Sequence, residues 1–255
     1  MQVSPCIEWI FAEDDADMAD RVRAVAAAGL KLAEFHLWRD KPVDAIAQAL
    51  SETGVRLTGI CVDPRRSLVD PAQHGEFLDA VRDSLVAAQK LGSPPMIVAS
   101  GFIREGVSPQ EHFDTAVVAL KQAAALAEEA GVMLVLEPLN DRIDHPGMYL
   151  VSTTLGLDLV EAVNSPNLRL LYDVYHSTVM GEDMAAVLTG RIHLVHHVQV
   201  ADMPGRNEPG TGEMDWAAKI GLLRQLGYAG DIGLECRPTR PGAESVALSR
   251  QALGL

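Results

Sequence analysis

Short apolar runs recur along the chain, each closed by a polar residue and followed by a stretch whose apolar positions repeat at helical spacing. Apolar runs of four to eight residues bounded by turn signals read as buried parallel strands. The pattern predicts strands over about Val3–Phe11, Leu32–Leu37, Val55–Val62 and Met96–Ser100. Four further runs end at Glu137, Asp173, Gln199 and Glu235. Helices fill the intervals. Glu13-Asp-Asp-Ala-Asp17 supplies caps and first-turn acids for a helix that runs to Ala28 and stops at Gly29. Pro42 opens a helix over Val43–Glu52. Asp70-Pro71 opens a long one reaching Leu91. Ser108-Pro-Gln-Glu111 is a capping box for a helix that ends at Ala130 before Gly131. In the second half, helices start at Ser152 or Thr153, run over Asp183–Leu188 and Asp215–Leu226, and close the chain near Ala252.

Eight strand–helix units over 255 residues come to about 32 residues each. That count favours an α/β fold of the single (βα)8 TIM-barrel kind, with residues 1–255 as one domain. The competing open, doubly wound sheet lacks support, because no G-x-G-x-x-G follows the first strand and no P-loop motif occurs.

Composition narrows the roles. With 48% hydrophobic residues the chain can bury a large core. A net charge of −14, from 35 acidic and 21 basic residues, argues against nucleic acid or an anionic membrane as a partner. No apolar run is long enough to span a bilayer. The first residues lack the pattern of a secretory signal. Cys6, Cys61 and Cys236 are few and far apart, as expected of reduced thiols in a cytoplasmic protein.

The candidate chemistry lies in the strand ends. In a barrel, the C-terminal ends of the strands face one cavity. Glu137, Asp173, Gln199 and Glu235 therefore form a candidate divalent-metal site. Their hard oxygen donors select Mg²⁺ or Mn²⁺, with Co²⁺ also compatible. His176, three residues past Asp173, is placed to contact a substrate oxygen. Alternation puts His197 on the same strand face as Gln199, as a group behind the site, and leaves His193 and His196 structural. Glu34, inside the second strand, reads as an internal ion-pair partner. The long Gly/Pro loop from Asp202 to Glu213 reads as a substrate-gripping lid, with Arg206 and Glu208 as its contacts. Arg206 suits a carboxylate or a pair of hydroxyls. His36 and Trp38 follow an early strand and are expected to wall the pocket; Trp9 fits that role or core packing equally.

At this point the motifs match a known pattern. Leu136-Glu-Pro-Leu-Asn140 with Asp144-His-Pro-Gly147, Tyr172-Asp-Val-Tyr-His176, and Gln199-Val-Ala-Asp-Met-Pro-Gly-Arg206 with Glu208-Pro-Gly-Thr-Gly-Glu213 together resemble the hydroxypyruvate isomerase family. That family belongs to the xylose isomerase-like TIM-barrel superfamily of sugar isomerases and epimerases. The resemblance is dense from Leu134 to Pro238 and looser before, where it rests on strand spacing and Ala33-Glu-Phe35. It implies Glu137, Asp173, Gln199 and Glu235 as metal ligands and Glu137 with Glu235 as the acid–base pair. It also implies substrate contacts at His176 and Arg206, and Asn140, at the end of the first motif, is a further candidate contact. Two segments depart from the pattern: the loop Asp63-Pro-Arg-Arg-Ser67 and the stretch after Asn140, which is longer.

The expected reaction moves one proton between adjacent carbons of a small sugar or sugar acid, with hydroxypyruvate as the named substrate, through an enediolate. Alternatives with the same site are a ketose 3-epimerase and a dehydratase, decarboxylase or lyase of an oxo-sugar acid. A non-catalytic sugar-binding or partner-supporting barrel is a third reading. A nuclease of the endonuclease IV type shares the superfamily but needs a histidine-rich multi-metal site and tolerates this net charge poorly. A homo-oligomer is compatible with everything above.

Overall fold

The computed structural model describes residues 1–13 and 16–255. Asp14 and Asp15, two of the acids expected ahead of the first helix, lie outside the described residues. The elements run β1 (Val3–Pro5), α1 (Met18–Ala27), β2 (Leu32–Ala33), α2 (Val43–Thr53), β3 (Arg56–Leu57), β4 (Ile60–Cys61), α3 (His74–Lys90), β5 (Met96–Val98) and α4 (Pro109–Ala130). They continue as β6 (Leu134–Leu136), α5 (Thr153–Val163), β7 (Leu168–Asp173), α6 (Val174–Met180), α7 (Met184–Leu188), β8 (Val195–Val200), α8 (Trp216–Leu226), β9 (Ile232–Leu234) and α9 (Gly242–Leu253).

Seven parallel strands hydrogen-bond in the order β1-β9-β8-β7-β6-β5-β4, and β2 pairs with β3. The two sheets join into a TIM barrel through single contacts. Cys6 bridges Glu34 on one side, and the Phe35 amide donates to the Gly59 carbonyl at 3.2 Å on the other. β3 and β4 are thus two halves of one barrel strand. The expected continuous strand Val55–Val62 breaks at Thr58-Gly59, where Thr58 turns its amide to the Ala33 carbonyl. A side chain at Gly59 would press on Ile97, with its Cβ 3.4 Å from Ile97 Cδ1.

The helix boundaries follow their caps. Asp17, Ser108, Ser152, Asp183 and Asp215 each accept a backbone N–H of the first helical turn. Asn164 ends α5 in the left-handed conformation. Two expectations need correction. The first strand stops at Pro5 rather than Phe11, because Trp9 and Ile10 both turn their amides back to the Cys6 carbonyl. Arg21 holds that turn through the Ile7 and Glu8 carbonyls. The segment directly after β7 is helical, a short α6 that the apolar pattern did not indicate. Asp173 itself caps it, accepting from the Tyr175 and His176 amides at 2.7 and 3.3 Å.

A large apolar cluster fills the space between helices and strands. A small one, Cys61, Ile97, Val135 and Leu171, packs inside the barrel. Two residues beyond Cys61, Val135 and Leu171 in this plug stand Asp63, Glu137 and Asp173, whereas Ala99 follows Ile97. Among the described residues no helix is long and apolar enough to cross a membrane.

Candidate active site

The β7–β8 register sets Asp173 beside Gln199, and the β8–β9 register sets Gln199 beside Gly233. Glu137 and Glu235 directly follow β6 and β9, and all four side chains are buried. Glu137, Glu235, His176, Arg206 and Asp144 line one cavity of about 280 Å³ together with Trp9 and His36. Ligand atoms of Glu137, Asp173, His176 and Glu235 lie within 4.8 Å of one another.

These donors fit a hard divalent cation. Asp173 spends Oδ1 on the helix cap, and its buried Oδ2 has no hydrogen-bond partner among the described residues. The Oε1 of Gln199 is likewise buried and unpartnered. Its amide orientation is fixed from behind: Nε2 donates to Glu34 Oε1 at 2.8 Å, so the oxygen is the free end. Glu34 Oε2 meets His197 Nε2 at 2.7 Å and the Thr58 hydroxyl at 3.1 Å. Only a glycine at 233 leaves room for this group, since a Cβ there would lie 2.6 Å from Glu34 Oε2. Glu34 and His197 thus stand behind Gln199, His197 on the strand face that alternation indicated and Glu34 as its internal partner. Two buried oxygens left bare amid carboxylates would be costly without a cation to bind them.

His176 belongs to the cluster by distance. Asn140 Oδ1 accepts from the Ile143 and Asp144 amides, which fixes that side-chain amide. Its Nδ2 therefore donates to Asp144 Oδ2 and to His176 Nδ1, at 2.7 and 2.6 Å. Burial, reinforced by Arg206, pushes His176 down to about 3, so the ring is neutral. Nε2 lies 3.3 Å from Arg206 Nη2, 3.5 Å from Asp173 Oδ2 and 4.0 Å from Glu137 Oε1, at the edge of the carboxylate cluster.

The two glutamates are driven in opposite directions. Burial, with Glu235 and Asp173 nearby, raises Glu137 well above the usual carboxylate range. Burial acts on Glu235 too, but Arg206 and the His36 hydrogen bond outweigh it and hold that carboxyl low. Arg206 Nη2 lies 2.7 Å from Glu235 Oε2, and His36 Nε2 lies 2.7 Å from Oε1. Burial, with Glu235 adding to it, pushes Asp173 up to about 7.

Arg206 reaches this position from the loop after β8. The loop is tied to itself rather than hinged. Asp202 accepts from the Met203, Gly210 and Met214 amides and from Trp216 Nε1. Arg206 sits at φ 56°, a left-handed backbone that costs a non-glycine residue about 1 kcal/mol. The Arg237 amide holds that backbone by donating to the Arg206 carbonyl at 2.8 Å. The guanidinium packs near the Trp9 and Tyr175 rings and leaves Nε buried without a partner.

Three expected substrate contacts fall elsewhere. Glu208 is fully buried away from the cavity, its oxygens spent on Thr239 and Arg240. It locks the loop to the chain after β9. Asn140 is fully buried and every polar atom of its amide is used, so it orients His176 instead of meeting substrate. Trp38 points its indole N–H to Ser84 and packs under Arg39, outside the cavity. Trp9 takes the wall position, edge-on to His36 at 5.0 Å. The cavity also draws on Arg65, Asp144, His145 and Arg237. Asp144 and His145 stand in a motif already singled out, and Arg65 stands in the loop that departs from the family pattern.

The chain matches the family described as xylose isomerase-like TIM barrel over residues 22–253. It is 33% identical to a putative hydroxypyruvate isomerase of Streptomyces coelicolor over 248 residues, covering 89% of this chain and 88% of that protein. It is 29% identical to a 2-oxo-tetronate isomerase of Cupriavidus necator, covering 86% of each. A crystal structure from Brucella melitensis titled AP endonuclease, family 2, superposes with a TM-score of 0.88 at 26% identity, covering 96% of each chain. The same strand ends, loop and barrel closure that build the cavity are what these matches span, and the chain belongs to the xylose isomerase-like TIM barrel family.

Proposed function

We propose that this protein is a divalent-metal-dependent isomerase of a small sugar acid, interconverting a 2-oxo acid such as hydroxypyruvate with its aldehyde isomer. The observation that carries the reading is the buried cluster of Glu137, Asp173 and Glu235 on one cavity, with bare Asp173 and Gln199 oxygens beside it. The relatives' names agree with it. The net charge of −14 disfavours a nuclease.

Glu137, Asp173, Gln199 and Glu235 would hold the ion, Mn²⁺ or Mg²⁺ by their oxygen chemistry. When bound, it would polarise the substrate oxygens and acidify the adjacent C–H bond. Glu137, the glutamate with the higher proton affinity, is the better-matched base. It takes the proton from the hydroxyl-bearing carbon and returns it to the neighbouring carbon, while the hydroxyl proton passes to the former carbonyl oxygen, so atoms and charge balance. Glu235, held ionised by Arg206 and His36, faces the substrate from another strand. In an epimerase that second face would deliver the proton. His176 and Arg206, which line the cavity beside the glutamates, are the side chains placed to meet the substrate oxygens. Their orientation is preset, His176 by Asn140 and Arg206 by Glu235, so no reorganisation is needed as charge develops. A positioned base of this kind contributes roughly 10²–10⁴-fold.

The test is a screen of the Mn²⁺- or Mg²⁺-loaded protein against hydroxypyruvate, 2-oxo-tetronate and keto-hexoses. Isomerisation of an acid substrate, abolished by EDTA and restored by metal, is expected. Turnover of keto-hexoses with none of the acids would replace this reading by the epimerase one.

A further inference from the structure

Three arginines line the catalytic cavity, and they are not equivalent. Arg206 is bound to Glu235 at 2.7 Å and lies 3.5 Å from Asp144, so its charge serves the protein's own carboxylates. Arg65 and Arg237 form no ion pair among the described residues. Arg237 is exposed at the end of β9. Arg65 is exposed too, but it lines the cavity beside Cys61, a residue of the buried inner barrel cluster, and beside Glu137.

The loop that carries Arg65 is rigid. At its start, Asp63 Oδ2 accepts from the Trp38 and Arg39 amides at 3.2 and 2.9 Å. At its end, the Leu68 amide donates to the Ser100 carbonyl at 2.9 Å. Gly101, at φ 82°, lets the next loop lie against Ser67, where a Cβ would come within 2.7 Å of the Ser67 Cα. Ser67 itself is held by Gln73. Both ends of the arginine's loop are therefore held, which fixes where the Arg65 side chain starts from relative to the cavity.

Arg65 also stands where the cavity opens into a second lobe of about 370 Å³, walled by Gly101, Phe102, Ile103, Arg104 and Met148. It is the one arginine common to the two spaces. A substrate whose reacting carbons lie between Glu137 and Glu235 must point its remaining end toward that junction or out through the mouth. An unpaired guanidinium at the junction of a cavity dominated by carboxylates is a group waiting for an anion from outside the protein.

We propose that Arg65 binds the carboxylate of the substrate and makes this site select sugar acids over neutral ketoses of the same length. The proposal rests on the isomerase reading above. It assigns to Arg65 the anion-holding role that the sequence suggested for Arg206.

The test compares substrates that differ only in the acid group: 2-oxo-tetronate against erythrulose, and hydroxypyruvate against dihydroxyacetone. Each is assayed with the Mn²⁺-loaded full-length chain and with its Arg65→Gln and Arg65→Lys variants. The ratio of kcat/KM for acid over neutral substrate should fall about 100-fold in Arg65→Gln, and less in Arg65→Lys, which keeps the charge without the fork. A ratio unchanged in Arg65→Gln overturns the proposal. A second measurement does not depend on turnover: calorimetric binding of the unreactive acid threonate and of neutral threitol to the same Mn²⁺-loaded proteins. Wild-type preference for threonate, lost in Arg65→Gln, supports the anion site even if no isomerisation is found, in which case the isomerase reading alone has failed. Equal binding of threonate and threitol by the wild-type protein overturns the Arg65 assignment.

Discussion

Glu34→Gln is the perturbation that probes how the metal site is held from behind. Glu34 is almost completely buried and takes three donors: Gln199 Nε2 on one oxygen, His197 Nε2 and the Thr58 hydroxyl on the other. A glutamine of the same shape keeps one acceptor oxygen and replaces the other with an NH₂. At least one of the three donors then faces an N–H. If Gln199 is the one displaced, its amide can rotate and offer nitrogen to the ion in place of oxygen. Loss of a group that orients a ligand costs about 10–100-fold in metal affinity, or about 1.4–2.7 kcal/mol. The strained pairing adds about 1–3 kcal/mol of folding stability lost for the unsatisfied buried donor. Calorimetric titration with Mn²⁺ reads the first effect and thermal unfolding of the metal-free protein reads the second. A variant that unfolds earlier yet binds Mn²⁺ as tightly as the wild type would refute the reasoning, because Glu34 would then support only the barrel and not Gln199.

Three further expectations follow from the same geometry. Gln199→His should retain metal and shift preference toward Co²⁺, Ni²⁺ or Zn²⁺, which imidazole suits; an unchanged ranking by competitive titration would place Gln199 outside the ligand set. Arg206→Ala should lower kcat/KM about 100-fold or more, since it removes both a substrate donor and the cation that keeps Glu235 ionised; wild-type kinetics would make the loop a bystander. In the metal-free protein, burial pushes Asp173 up to about 7 and raises Glu137 too. The native state then holds protons that the unfolded chain releases above about pH 4. The contribution of these two groups to metal-free stability is therefore fully present below about pH 4 and is lost as pH rises toward about 7. Mn²⁺ displaces those protons, so its affinity should rise over the same interval. Melts and titrations between about pH 5 and 8 check both signs.

Much of this site was legible in the sequence because parallel barrel strands leave a strong one-dimensional trace. An apolar run closed by an oxygen-bearing side chain marks both the strand and the end that faces the cavity, which is how Glu137, Asp173, Gln199 and Glu235 could be placed at one mouth. Strand alternation likewise put His197 behind Gln199. What the pattern does not encode is the partner of a polar group. Glu208 and Asn140 have the chemistry of substrate contacts, yet Glu208 is consumed by Thr239 and Arg240, and Asn140 by Asp144, His176 and two amides. Arg65 has the same kind of side chain as Arg206, and only the fold shows that Arg206 is paired and Arg65 is not. Trp38 rather than Trp9 is expected from the sequence to wall the pocket, and the order is reversed because the first strand ends early and turns Trp9 into the cavity. Helix α6 escaped because its first turn is capped by Asp173, whose role as a strand terminus hid its role as a cap.

The most direct test of the account is isomerisation of hydroxypyruvate or 2-oxo-tetronate in D₂O by the Mg²⁺-loaded protein, followed by NMR at low conversion. A proton carried on a glutamate exchanges with solvent before it returns, so the isomer should contain deuterium at the carbon that gains hydrogen. That label should be lost along with activity in Glu137→Gln. An isomer formed at the wild-type rate with no deuterium would mean a hydride shift and would contradict the acid–base role of the buried glutamates.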